Sequence, residues 1–195
     1  MLNVHQIAEA AEKVELFETK KQDLLKPKTP LEFRLGSAEK GEFMKVTFNI
    51  SDFDKDKDSK TLTVNVPADL ADQFQSFDQT LQAKAAKVSP QGDLEWRPLV
   101  TQEGEREPRI SIKMCCKESA STRTRFYTWD GKDKKNGKPE VKETTFEHIC
   151  AGQKVVLLLN LGHVWSYKKG RGITLYAKHV LIMQSDEEEA GPDFS

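Results

Sequence analysis

From Pro108 to Met183 the chain is written almost wholly in the two-residue period of β-strands, and this stretch constrains the fold most. Arg109 to Cys115 alternates through Ile110, Ile112 and Met114, and Arg123 to Trp129 is a second strand. Val155-Val156-Leu157-Leu158-Leu159 opens a third, from Lys154 to Tyr167, and its unbroken apolar start predicts burial on both faces. Lys168-Lys169-Gly170-Arg171-Gly172 reads as a glycine-rich turn, and Ile173 to Met183 as the final strand. Between these strands, Asp130 to Lys138 is a turn-rich basic loop, and Val141 to Ile149 is expected to hold a short helix.

Upstream, Gly41 to Ile50 and Thr61 to Val66 read as a hairpin with a long tip rich in Asp and Lys. Pro67 opens the clearest helix, in which Leu70, Phe74, Phe77, Leu81, Ala85 and Val88 recur at helical spacing until Ser89-Pro90-Gln91-Gly92 ends it. Leu94 to Val100 is a short extended piece. The opening, Val4 to Leu25, has mostly helical spacing and predicts one helix or two short ones, closed by Pro27 and Pro30. The expected organisation is a helical extension with proline connector over residues 1–30, a compact domain over 31–184 and a disordered acidic tail over 185–195. The compact domain is mainly β with one central helix, and its short strands with turns between them suggest a small barrel with long basic hairpin loops.

Charge is divided into blocks. The formal total is -1, yet residues 106–184 carry about nine excess positive charges, whereas the last eleven residues and the first 105 carry about five excess negative charges each. Such blocks suit a polyanion-binding face and an acidic tail that competes for it. The three cysteines (two of them adjacent), the lack of a secretory leader and the lack of a membrane-length apolar run point to a reducing, intracellular setting.

The sequence carries no recognisable catalyst. It has neither a phosphate-binding glycine loop nor a nucleophile elbow. His148 and Cys150 lack a second ligand pair at zinc spacing. The Asp52, Asp54, Asp56, Asp58 series puts Lys57 where a calcium loop needs glycine and Thr63 where it needs the bidentate glutamate. Neither a metal nor another cofactor is expected.

What remains is a mixture of aromatic and cationic side chains. One group is Arg123, Arg125, Tyr127, Trp129 and Lys132; the other is His163, Trp165, Tyr167, Lys168, Lys169 and Arg171, running on to Tyr176 and Lys178. Cations follow phosphates, and ring faces stack on unpaired bases. In Gly162-His163-Val164-Trp165-Ser166-Tyr167 the odd positions share one face of a strand, as do Arg123, Arg125 and Tyr127 on theirs, while Phe126 points to the core. The other reading of Trp165 and Tyr167 is as core residues. The tail offers Asp186, Glu187, Glu188, Glu189 and Asp193 as competing carboxylates, and Phe194 as an aromatic with nothing to hide it from water.

Several of these segments together resemble a known family. Pro108-Arg109-Ile110-Ser111-Ile112-Lys113, Arg125-Phe126-Tyr127, Gly152 to Leu159, Gly162-His163-Val164-Trp165 and Lys168 to Leu175 are similar to stretches of the single-stranded DNA-binding proteins of large eukaryotic DNA viruses. The tail is similar to those of bacterial and phage single-strand-binding proteins, although Ser195 follows the phenylalanine here. The resemblance implies an OB-type β-barrel, cooperative coating of single-stranded DNA, and a role in replication, recombination or repair at a viral replication site or in a host nucleus. It also implies docking of replication proteins such as a polymerase, helicase or primase through the tail. Self-association is left open. A scaffolding barrel that binds protein, and a binder of RNA or duplex DNA, are the alternatives that the residues leave standing.

Overall fold

In the computed structural model, the described residues are 6–20, 24–50, 58–90, 94–132, 134–135 and 138–184. The tail residues Asp186 to Phe194 and most of the aspartate-rich hairpin tip lie outside them. The first half runs α1 (Ile7–Lys13), β1 (Leu16–Glu18), β2 (Leu24–Pro27), β3 (Glu32–Leu35), β4 (Met44–Val46), β5 (Ser59–Asn65) and α2 (Ala68–Val88). The second half runs β6 (Glu95–Arg97), β7 (Val100–Thr101), β8 (Arg109–Cys115), β9 (Arg125–Trp129), β10 (Lys134–Lys135), β11 (Lys138–Pro139), β12 (Lys142–Thr144), a 3-10 turn (Phe146–His148), β13 (Lys154–Tyr167) and β14 (Gly170–Met183).

Five of these strands close on themselves. β4 pairs with β5 and β5 with β8, both antiparallel; β8 runs parallel to β14, β14 antiparallel to β13, and β13 returns to β4. Numbered one to five along the chain, they stand in the order one, two, three, five, four and back to one. This Greek-key closure is an OB-like barrel. β13 and β14 are each 14 residues long and outrun the barrel. Beyond it, β13 carries β2 and β3, while β14 carries β6 and β9.

Two register shifts set which side chains face out along that long ribbon. In β13, Val155, Leu157, Leu159 and Leu161 point to the core, but the next inward residue is Val164. In β14, Ile173, Leu175 and Ala177 point inward, and then Val180 and Ile182. The pairing shifts between Leu161 and His163 and between Leu158 and Leu159, leaving Gly162 and Lys178 as the extra residues. Each bulge reverses the alternation after it. Without them His163 and His179 would continue the buried series.

α2 lays Leu70, Phe74, Phe77, Leu81 and Ala85 on the barrel, where the Phe33 ring meets Phe74 and Phe77 at centroid separations of 5.9 and 6.1 Å. Pro67 precedes the helix, where a missing N–H costs nothing.

The described residues before β3 combine a short helix with a hairpin where the sequence predicts helix alone. Among the described residues of this stretch the α-helix is Ile7–Lys13; the next apolar residues form the β1–β2 hairpin, because Leu16 and Leu25 bury on opposite strands and β2 pairs with β13. α1 leans on α2: Ala8 N donates to Gln73 Oε1 at 3.3 Å, and Lys84 Nζ donates to the carbonyls of Glu12 (2.6 Å) and Val14 (2.9 Å). The helix expected over Val141 to Ile149 is replaced by β12, which covers the edge of β9, and by one 3-10 turn. Lys142-Glu143-Thr144-Thr145 has the β-branched content and the edge position that favour a strand there.

Candidate nucleic-acid interface

The outward face of the β13–β14 ribbon is the floor of a cleft of about 840 Å³. Asn160, Gly162 and His163 of β13 and Tyr176, Lys178 and His179 of β14 form that floor. Lys26 of β2 stands on one side; Lys117, Arg123 and Arg125, from the β8–β9 loop and β9, stand on the other, with Asp58 at the start of β5. The structure therefore brings together Arg123, Arg125, His163 and Lys178 of the residues picked from sequence.

Gly162 makes the floor possible. Any Cβ there would collide with the Tyr176 ring, so only glycine lets that ring lie across the neighbouring strand. His163 packs beside it, with ring centroids 5.9 Å apart and tilted by 48°, and its Nε2 is 3.4 Å from Thr174 Oγ1. At the other end of the cleft His179 stacks, at 5.7 Å and 21°, on Tyr127, which lines the adjoining groove. Two aromatic–imidazole pairs thus flank the cations.

Electrostatically the cleft is positive and partly desolvated. Lys178 is held by Glu32 at 2.6 Å and Lys117 by Asp58 at 3.5 Å. Arg123 and Arg125 are exposed, and among the described residues no carboxylate pairs with either. Burial, then the charge of Lys26, lowers the pKa of His163 below its ordinary value. Burial, then Lys178 and Arg125, lowers that of His179, against a weaker opposing pull from Glu32. Burial raises the pKa of the Tyr176 hydroxyl, which stays a neutral hydrogen-bonding group.

The other expected residues fall into two classes. Trp165, Tyr167, Lys168 and Lys169 sit at the ribbon's far end. The indole of Trp165 lies half-buried over Gly170 and Gly172, where a Cβ on Gly172 would stand 2.9 Å from its Cζ2 and 3.0 Å from the Arg97 carbonyl. The glycines that read as a turn are therefore strand residues making room for the indole, and the turn itself is Lys168-Lys169, with Lys168 at φ 53°. Tyr167 is 68 % exposed, with Lys168 Nζ 5.3 Å from its ring centroid. Lys132 lies exposed in the loop after β9, where its backbone N–H donates to Asp130 Oδ1.

Trp129 and Arg171 are buried. Trp129, which alternation puts beside Tyr127, is only 5 % exposed at the end of β9, where β14 ends alongside it and Gln184 N donates to its carbonyl. Arg171, also 5 % exposed, turns inward and donates Nη1 to the Ser89 carbonyl at 2.8 Å and Nη2 to the Ala85 carbonyl at 3.3 Å. It caps the end of α2, giving the Ser89 carbonyl a donor and the Ala85 carbonyl a second one beside the Ser89 N–H at 2.9 Å.

Sequence reasoning missed Lys26, Lys117 and His179 as cleft residues and left Tyr176 outside the proposed site. Tyr176 could have been found, since it shares a face with Thr174. His179 could not, because its orientation depends on the bulge at Lys178.

No family model matches the chain, and no curated protein matches it. Among solved structures, the single-stranded DNA-binding protein gp2.5 of bacteriophage T7 is similar at a TM-score of 0.49 and 9 % identity, over 83 % of this chain and 97 % of its own. The C-terminally truncated single-stranded DNA-binding protein of bacteriophage Enc34 aligns at 0.47 and 12 % identity, over 88 % of this chain and 96 % of its own. The same phage protein in complex with single-stranded DNA aligns at 0.47 and 15 % identity, over 90 % and 97 %.

Proposed function

We propose that the chain is a single-stranded DNA-binding protein, a binder rather than a catalyst, that coats unpaired strands without strong sequence preference. The observation that carries this reading is the cleft, where two arginines with no carboxylate partner among the described residues stand opposite Lys26 above a floor on which Tyr176 packs beside His163. Cations can track successive phosphates while Tyr176, and beyond it Trp165 and Tyr167, offer ring faces to bases. Duplex DNA gains the cations but keeps its bases stacked, and so forgoes about 1–3 kcal/mol for each base stacked on a ring. The sequence likeness to viral single-strand-binding proteins supports the same reading, and with it a role in replication, recombination or repair.

A strand running along the ribbon passes from the cleft to the hairpin of Trp165. Adding poly(dT) should therefore quench tryptophan emission, duplex should leave it unchanged, and Trp165→Phe should remove most of the response. Quenching that persists in Trp165→Phe would put the path elsewhere, because Trp129 is buried and Trp96 is tied by its Nε1 to Asp78 at 3.1 Å.

Within the same reading, the carboxylates Asp186, Glu187, Glu188, Glu189 and Asp193 compete with DNA for the cleft, and Phe194 recruits replication partners once DNA displaces the tail. Removing residues 185–195 should tighten binding roughly tenfold at low salt, with the gain fading as salt screens the tail. An unchanged affinity at low salt would eliminate the competition.

A further inference from the structure

The two bulges place His163 and His179 outward at opposite ends of one positively charged cleft. His163 faces Lys26 of β2, Thr174 and Tyr176 of β14, and the cleft wall bearing Cys115, Lys117, Arg123 and Asp58. His179 is stacked on Tyr127 of β9 and faces Arg125 of the same strand, Asn160 of β13 and Glu32 of β3; Lys178 precedes it, and on its far side Arg34 and Glu39 line a shallower groove. Among the described residues, cations outnumber carboxylates around both rings. The two carboxylates nearest the cleft, Asp58 and Glu32, are already engaged by Lys117 and Lys178.

We propose that His163 and His179 make the cleft proton-linked: they take up protons as a single strand enters, so that binding tightens as pH falls below neutral. The inference rests on the single-strand reading above. In the free protein, partial burial and neighbouring cations hold both imidazoles neutral near pH 7. A phosphate within about 4–6 Å supplies the opposite charge that favours imidazolium. The signs for folding and binding then differ. The free fold prefers the neutral rings, so its stability falls as pH drops through the ordinary histidine value of about 6.5. The complex prefers the charged rings and gains affinity over the same interval.

The experiment uses a dT 30-mer, whose bases do not titrate between pH 5.5 and 7.5. The full chain is used throughout, and the chain lacking residues 185–195 is the control for the tail carboxylates. Affinity at pH 5.5 should exceed that at pH 7.5 by about tenfold, with at most tenfold per proton per pH unit. The slope of log Kd against log salt should steepen by about 0.7 for each imidazolium formed, or about 1.4 for both. His163→Gln with His179→Gln should flatten the affinity ratio and abolish the change of slope. Calorimetry on the unsubstituted chain near pH 6, in two buffers of different ionisation enthalpy, should register net proton uptake without any substitution. Tight binding with no proton uptake, or a pH ratio that survives the double substitution, overturns the inference and leaves single-strand binding intact. No binding at either pH removes the cleft as a site, and the inference with it.

Discussion

Replacing Arg123 and Arg125 together by alanine is expected to weaken single-strand binding about a hundredfold at low salt, with the fold unaffected. Both side chains are exposed, stand on the same wall of the cleft and have no carboxylate partner among the described residues. Each contact between a charged group and phosphate contributes about 1.5 kcal/mol or more, so two amount to about 3 kcal/mol. The salt dependence is the sharper readout. Losing two phosphate contacts should lower the slope of log Kd against log salt by about 1.4, because each contact on a single strand contributes about 0.7. A large loss of affinity at unchanged slope would mean that the arginines act on bases or on the β9 backbone instead. Thermal melting should move little, since surface substitutions of this kind usually change stability by less than about 0.5 kcal/mol.

Arg171→Ala should do the reverse. Its guanidinium is buried against the end of α2, so removing it takes the donor from the Ser89 carbonyl and the second of two donors from the Ala85 carbonyl, and empties the space its side chain fills. A buried acceptor left unsatisfied costs about 1–3 kcal/mol, and a total near 2 kcal/mol is expected, partly offset because Arg171 Nε has no partner among the described residues. In a chain of this size that lowers the melting temperature by roughly 4–8 °C. The salt slope of DNA binding should not change, because the charge removed does not face the cleft. A slope that fell by about 0.7 without loss of stability would instead mark Arg171 as a phosphate contact.

These contrasting expectations show where the sequence was legible. Alternation located β8 and β13 at their observed limits, and apolar spacing located α2, because those segments bury one face against a single large core. The same alternation argument kept His163, Trp165 and Tyr167 on one face, and that holds locally. Carried back to Val155, however, it would bury all three, since odd positions up to Leu161 point inward. The bulge at Gly162 reverses the pattern, and the bulge at Lys178 does the same for His179. A bulge is fixed by tertiary pairing and leaves little local signature beyond the glycine.

Arg171 misled for a related reason. Within Lys168-Lys169-Gly170-Arg171-Gly172 its charge resembles that of its neighbours, but the two-residue turn puts Arg171 inside the strand, pointing toward α2, whose end lies 82 residues earlier in sequence. Lys26 and Lys117 escaped notice because each belongs to the cleft only through long-range packing: Lys26 through the pairing of β2 with β13, and Lys117 through the loop folded over Asp58. The OB-like closure itself depends on the parallel β8–β14 pairing, which the strand pattern does not specify.

Selective binding to unpaired DNA is the property on which the proposed function rests. Fluorescence anisotropy of labelled 30-mers as single strand, duplex and RNA, at low and moderate salt, measures this directly. The expected result is salt-sensitive binding to the single strand at least tenfold tighter than to duplex, reduced by Arg123→Ala with Arg125→Ala. Equal affinity for duplex, or no binding by either the full chain or the chain lacking residues 185–195, would contradict it.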